Sequence, residues 1–277
     1  MKKIDKEQYL INKLTSKYIG DDAAVIGNML YSMDTFFEDV HFKRSWMNMA
    51  QIGKKAMLVN LSDAIAMNAQ PKYALVSVSL PKNIENKEID ELMKSLEDTA
   101  KAYGCEIIGG DTIGADKLHL SIAIISQSFH PLLRKGLQEG DLLAFTGTLG
   151  QSKHDLEALL RGEKISSDSK FYEPKLRVEF IKKSHPYLHA GMDISDGLFC
   201  DTNKLLDING YGFKLLLDID PKIGLSGEEY EMLVGFSPEN LETVLAIAKE
   251  TDTALTVFAK VVQNDKRFCC ESHHFKN

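Results

Sequence analysis

Aspartates set beside glycine, serine or threonine recur in five short motifs: GDDAAV (20–25), SMDT (32–35), NLSDAIAM (60–67), GGDT (109–112) and MDISDG (192–197). The segments around them otherwise read as apolar core, and a folded domain rarely buries carboxylates without partners. No matching set of basic residues stands beside the motifs. Divalent cations are the economical way to gather so many acids. Hard oxygen ligands with small hydroxyl neighbours suit Mg²⁺, and with it a phosphorylated substrate.

Asp22, Asp34, Asp63, Asp111, Asp193 and Asp196 all fall at expected strand ends, helix starts or a buried helix face. Converging in a cleft of low dielectric, they repel one another prohibitively without counter-cations. Two or more Mg²⁺ ions then become a physical requirement, with Ser32 and Ser195 as hydroxyl or carbonyl supplements. No Ser/His/Asp or Cys/His nucleophile arrangement stands out. A phosphate monoester acceptor needs none, because its second pKa of about 6 leaves it mostly dianionic at neutral pH. Its attack on a γ-phosphoryl group calls for alignment and charge neutralisation, so no catalytic acid or base is expected.

Other residues carry two readings each. His41 is either a hydrogen-bonded loop residue or a ligand for substrate phosphate. Arg134 is a solvated surface arginine or a clamp on nucleotide phosphate at a domain junction. Glu228 and its neighbour Glu229 leave open which acid serves a helix start. GTLGQSK (147–153) lacks phosphate-loop spacing and reads as a strand-to-helix turn whose amides are still open to a phosphate. The tail CCESHHFKN (269–277) fits no standard zinc spacing and reads as a frayed end.

Periodicity supplies the elements that must position these groups. Residues 24–42 alternate as strands around Gly27–Asn28, a hairpin dipeptide. From 48 to 68 the period is helical and puts Asp63 on the apolar face of Ile52, Ala56 and Val59, with Pro71 ending the run. YALVSVSL (73–80) reads as a strand and 86–103 as an amphipathic helix stopped by Gly104. A strand at 105–108 runs into GGD, and LHLSIAIIS (118–126) reads as a central strand. The pattern pauses at 130–141, which divides the chain into domains at 1–135 and 136–277. Next come a strand at 142–145, a helix at 153–162, a mobile polar loop at 162–174 and a helix at 175–184. A strand enters MDISDG, and a helix follows to 209 with Ser195 as its N-cap. A strand at 213–218, a helix opened by SPEN (237–240) and a strand at 254–262 complete the set. Alternating strands and helices in both halves predict an α/β or α+β fold.

Composition sets wider bounds. The length of 277 residues suits two domains, and 44% apolar content supplies their cores. A net charge of −7 without a basic stripe argues against nucleic acid as main partner, but not against a nucleotide whose metal inverts the local sign. Cys105, Cys200, Cys269 and Cys270 form no CxxC pair and read as reduced thiols. The chain has no long apolar run, and MKKIDKEQYL lacks a signal-peptide stretch. A soluble cytoplasmic protein without membrane contact is the expectation.

In their order, these strings resemble the thiamine-monophosphate kinases, members of the aminoimidazole ribonucleotide synthetase superfamily. The likeness spans nearly the whole chain and rests on GDDAAV, SMDT…VHF, NLSDAIAM, IIGGDT, R-x-G-x-x-x-GD and MDISDGL. It implies transfer of the ATP γ-phosphoryl group to thiamine monophosphate with several Mg²⁺ ions. It also implies an N-terminal sheet domain that dimerises, a C-terminal α/β domain and an active site between them. By position, Asp22, Asp34, Asp63, Asp111, Asp193 and Asp196 resemble the metal carboxylates, joined by Ser32 and the Met33 carbonyl. Gly110, Asp111, Arg134 and Ser195 resemble ATP contacts, and His41 and Glu228 contacts to thiamine monophosphate. Two departures stand out. The segment between DID (218–220) and SGEEYEM (226–232) is shorter than the family's usual form. The family's C-terminal Trp is absent, and Phe268 would take its place by stacking on the thiamine ring. The rival readings are another ATP-using member of the superfamily and a non-catalytic nucleotide- or metal-binding module.

Overall fold

Gly27 adopts φ 66° and turns the chain between β1 (Ala24–Ile26) and β2 (Met29–Phe37), as its dipeptide predicts. This hairpin opens the first of two five-stranded sheets in the computed structural model, which describes residues 6–270. A short helix α1 (Lys6–Ile11) precedes it. The sheet continues through β3 (Gln70–Pro81), β4 (Glu106–Ala115) and β5 (His119–Gln127), in the order β1-β2-β5-β3-β4. Only the β3–β4 pair is parallel.

Two helices, α2 (Met49–Ala66) and α3 (Asn86–Ala102), cover one face of this sheet. Asn48 opens α2 with a capping box closed by Gln51, which satisfies two otherwise orphaned backbone N–H groups. Along β5 the buried residues Leu120, Ile122 and Ile124 alternate with half-exposed ones, the mark of a sheet covered on one side. Tyr31, Met33, Tyr73, Leu75 and Ile113 point from the uncovered face into solvent.

The second sheet is built from β6 (Leu142–Thr146), β7 (Ala190–Asp193), β8 (Gly212–Leu215), β9 (Met232–Phe236) and β10 (Leu255–Val262), ordered β7-β9-β6-β10-β8. Its helices are α4 (Gln151–Leu160), α5 (Val178–Ser184), α6 (Leu198–Asn209), α7 (Pro221–Gly224) and α8 (Leu241–Glu250). Periodicity did not reveal β9. It is five buried residues without alternation, directly after a charged stretch, and such a run has no period to detect. The four-residue α7 is also absent from the sequence reading.

Several boundaries differ from expectation. Helix α2 ends at Ala66, and Asn68 at φ 52° redirects the chain, so Pro71 lies inside β3 rather than stopping a helix. GGD belongs to the body of β4 and not to a turn after it. A Cβ on Gly110 would stand 1.7 Å from the Val76 carbonyl oxygen, so that strand position admits only glycine. Ser195 does not cap α6, which opens at Leu198 after Gly197.

The stretch 162–174 is no mobile polar loop. Phe171 and Tyr172 are buried in the apolar core of the first sheet, beside Leu159 and Leu176. Ser169 donates to Asp155, and Lys54 of α2 pairs with Glu173 at 2.5 Å. The segment is a strap by which the second half of the chain completes the core of the first. Asn209 of α6 adds a second tie, accepting from the Gly136 and Leu137 amides at 2.8 and 3.1 Å while donating to the Arg134 carbonyl.

Removing a buried phenylalanine typically costs about 3–5 kcal/mol. Phe171→Ala should therefore lower urea-unfolding stability by roughly that amount, whereas a residue in a solvated loop would change it by about 0.5 kcal/mol or less.

Candidate active site

Helix α2 lies between β2 of the first sheet and β7 of the second, and its last turn carries Asp63 between them. Asp34 sits on the helix-facing side of β2, Asp193 ends β7, and Asp22 lies in the turn before β1. Burial and the charges of Asp34, Asp193 and Asp22 together raise the Asp63 pKa well above the ordinary carboxylate range. These four acids share one cleft.

Side chains that the motifs place beside the acids hold them there. The Ser62 hydroxyl donates to Asp193 at 2.5 Å, joining residues 131 positions apart across the junction of the two sheets. Asn60, one turn before Asp63, accepts from the Asp34 amide at 2.9 Å. The Ala23 amide meets the Met67 sulfur at 3.0 Å and seats the GDD turn on the end of α2. Sequence reasoning passed over Asn60 and Ser62, although Asn60, three residues before Asp63, shares its side of the helix.

Positive charge in the cleft comes from Arg134 and Lys204. The Arg134 guanidinium donates to Asp22 Oδ1 through Nε at 2.9 Å and through Nη2. Burial nevertheless outweighs this pair and raises the Asp22 pKa. Asp193 is pushed up to about 8 by burial and by Asp22, against the Ser62 bond and Arg134. Asp196 is held by Lys204, which also meets Asp201 at 3.0 Å. Asp201, fully buried and unforeseen, accepts from the Asp196 amide and has its pKa raised to about 6 by burial. Arg134 thus meets a carboxylate in the structure, where the sequence reading offered a surface position or a phosphate.

The donor set suits a divalent cation. Asp22 Oδ2 is buried with no hydrogen-bond partner, and burial first, then the other acids, raises the pKa of Asp22 and of its neighbours Asp63 and Asp193. All the donors are oxygens. As folded, no three His, Cys, Asp or Glu side chains among the described residues form a ready metal cage. Arg134 and Lys204 instead occupy two of the acids.

Ser32 lies on the same side of β2 as Asp34, two residues away, while the Met33 side chain is on the open face. Ser195 accepts from the Glu228 amide through its carbonyl at 2.7 Å. Gly110 and Asp111 are not brought to the cluster. Asp111 stands in the row Thr35–Ser121–Ser77–Asp111, on the open face and at the sheet edge. Three strand spacings of about 4.8 Å separate β2 from β4 in that row. The expected gathering of six acids within one chain is therefore four, with Asp196 alongside.

A second cluster adjoins the first. Lys55 of α2 is fully buried, pairs with Glu228 at 2.6 Å, and lies 4.1 Å from the Phe171 ring centroid and 5.7 Å from that of Phe36. His41 stacks on Phe36 and accepts the Phe37 amide at Nδ1, which leaves Nε2 as the protonated nitrogen of the neutral ring. Tyr230 lies between the clusters: burial first, then Glu228, Asp34, Asp193 and Asp63, raise its pKa well above the ordinary value. Glu228 and Tyr230 both have positive φ, 53° and 51°, so the GEEYE backbone is strained where it borders the cleft.

The other glutamates of that motif are structural. Glu229 accepts from the Gly150 amide at 2.8 Å and the Ser152 amide at 3.3 Å, so the start of α4 is spent on a side chain rather than a phosphate. Glu231 forms a two-point pair with Arg177. Phe268 does not face the cleft. Phe199 covers one side of its ring at 4.1 Å and Phe213 the other at 4.2 Å, so neither face is open to a thiamine ring. In the tail, His273 and His274 lie outside the described residues.

Residues 20–127 match the model of the AIR synthase related protein N-terminal domain, and residues 138–265 that of the C-terminal domain. The thiamine-monophosphate kinase of Aquifex aeolicus (strain VF5) is 34% identical over 230 residues, covering 79% of this chain and 74% of the relative. The chain belongs to the thiamine-monophosphate kinase family. The family member from Haemophilus influenzae (strain ATCC 51907 / DSM 11121 / KW20 / Rd) is 29% identical over 292 residues, covering 94% of this chain and 88% of its own. Among solved structures, AaThiL complexed with AMPPCP and TMP superposes with a TM-score of 0.82 at 26% identity, over 96% of this chain and 94% of that one. The family's two-domain α/β architecture is therefore the one seen here.

The raised carboxylates give this cleft a pH signature. Between the ordinary Asp value of about 4 and the Asp193 value of about 8, the folded chain keeps protons that the unfolded chain has released. The protein without a metal is thus progressively destabilised as pH rises through that window, and a divalent cation, if bound there, would take the protons' place. The Tm gap between Mg²⁺-loaded and chelator-treated protein should widen from about pH 4 to about pH 8. A gap that stays constant or narrows would contradict the assignment.

Proposed function

We propose that this chain transfers the γ-phosphoryl group of ATP directly to thiamine monophosphate, yielding thiamine diphosphate and ADP. The observation that carries the reading is the cleft of four aspartates with an orphaned Asp22 oxygen. It occurs in a chain whose relatives bear this kinase name and whose structural neighbour holds AMPPCP, an ATP analogue, together with TMP. Mg²⁺ held by Asp22, Asp34, Asp63 and Asp193, with Ser32, the Met33 carbonyl and Asp196, would neutralise phosphate oxygens and the charge that develops during transfer.

The chain's own groups do the rest. Arg134 and Lys204 bring positive charge to the nucleotide side, and the Ser195 backbone borders it. Ser62 and Asn60 fix the acids so that little reorganisation accompanies the reaction. On the acceptor side, His41 donates from Nε2 toward the substrate phosphate, and Glu228, oriented by buried Lys55, faces the cationic thiamine end. The acceptor oxygen already carries its charge at neutral pH, so no side chain has to remove a proton. Phe268 has no part in this scheme.

A second copy of the chain is proposed to cover the apolar face of Tyr31, Met33, Tyr73, Leu75 and Ile113. Gly110 and Asp111 lie on the edge strand of that face, so they would reach a nucleotide held by the partner. No helix among the described residues is long and apolar enough to cross a membrane, and a cytoplasmic location fits the reaction.

Asp63→Asn should reduce kcat by about 10²-fold or more, followed as ADP and thiamine diphosphate formed from ATP and thiamine monophosphate. Turnover at the wild-type rate would overturn the metal role. Leu75→Lys combined with Ile113→Lys should convert a dimer to a monomer in light scattering. An unmodified chain that is already monomeric would dismiss the proposed pairing.

A further inference from the structure

The two halves of the chain flank a half-open hollow of about 780 Å³ that shares no residue with the carboxylate cleft. The first half contributes the end of α2, the start of β3, the end of α3 and the segment after β5, and the second contributes α5. Its floor is apolar, formed by Ile65, Ala69, Pro71, Val178 and Ile181. Two aromatic rings border it, Tyr103 half-buried and Phe129 74% exposed at the rim. A phenylalanine so exposed beside an apolar hollow suits a flat hydrophobic guest better than water.

The lining offers one permanent charge, the Lys182 ammonium. Lys182, His130 and His185 face the cavity, and neither Asp nor Glu is among its lining residues, in a chain with 40 acids against 33 Lys and Arg. Lys182 has no carboxylate partner among the described residues. The smaller cavity between α2 and α3, of about 580 Å³, differs in this respect: its Lys54 and Lys94 are paired with Glu173 and Asp98. Burial and the neighbouring His130 hold His185 below the ordinary histidine range, so the Lys182 ammonium dominates at neutral pH. The volume lies within the range of about 300–1,000 Å³ usual for small-molecule pockets.

We propose that this junction cavity is a second ligand site for a small aromatic anion, whose ring system rests between Tyr103 and Phe129 and whose acidic group meets Lys182 and the two histidines. The guest touches both halves of the chain at once. The site takes neither of the kinase substrates in the reading above and stands or falls independently of it.

Naphthalene-1-sulfonate serves as probe, with 1-naphthalenemethanol as its uncharged counterpart, in calorimetry on the full chain. The expected result is one sulfonate bound per chain, with affinity weakened at least about tenfold for the uncharged probe and for Lys182→Glu, since a charged hydrogen bond is lost in each. Lys182 is exposed at the rim, so its replacement leaves the fold intact, and a Tm within about 2 °C of wild type verifies this. Ala69→Trp, which fills the floor, should abolish binding, and saturating AMPPCP should leave it unchanged. The proposal is overturned if the probe does not bind at millimolar concentration, if both probes bind alike, if neither substitution weakens binding, or if the nucleotide displaces the sulfonate.

Discussion

Two like unit charges about 6 Å apart repel by roughly 3 kcal/mol even at an effective dielectric of about 20. Asp22, Asp34, Asp63 and Asp193 meet under that constraint, and the architecture around them is what allows it. Arg134 answers Asp22, Ser62 answers Asp193, and Asn60 ties the Asp34 backbone to the same helix. These contacts hold the acids without neutralising them. Burial still wins, so without a cation these acids keep protons, and a divalent ion would take the place of those protons.

Such a cleft needs walls that do not move apart, and the two sheets are joined by more than a linker. Ser62–Asp193 and Lys55–Glu228 both cross the junction, the second with its ammonium buried against Phe36 and Phe171. Breaking a buried pair by removing one member leaves an uncompensated charge, so these bonds specify alignment as much as they stabilise it. Asn209 fixes the connecting segment by both ends of its amide. One side chain thus makes two ties: Lys55 holds Glu228 and also anchors α2 to the strap.

Much of this was legible in the amino-acid order. The hairpin at Gly27–Asn28, α2 with Asp63 on its inner face, α3 and β5 followed directly from period and turn chemistry. Asp111 was harder, because β5 inserts between β2 and β3 and sends β4 to the edge, an ordering no local pattern encodes. The place of Phe268 relative to a missing Trp suggests ring stacking, and nothing nearby in sequence announces that Phe199 and Phe213 enclose it. In the stretch 162–174, eight polar or charged residues disguised the adjacent Phe171 and Tyr172, which decide where it lies. Lys55 was invisible for the same reason: a lone lysine on a helix is ordinarily solvated, and its partner is 173 residues away.

The strap also bears on how the polypeptide is made. A nascent chain that has emerged only as far as β5 has every strand of its first sheet but lacks Phe171, Tyr172 and Leu176 from that sheet's core. Until those residues leave the ribosome, the exposed gap over α2 is a sticky surface of the kind chaperones shield. The order of synthesis and the order of completion are therefore uncoupled, and the N-terminal half matures only after much of the C-terminal half has been translated.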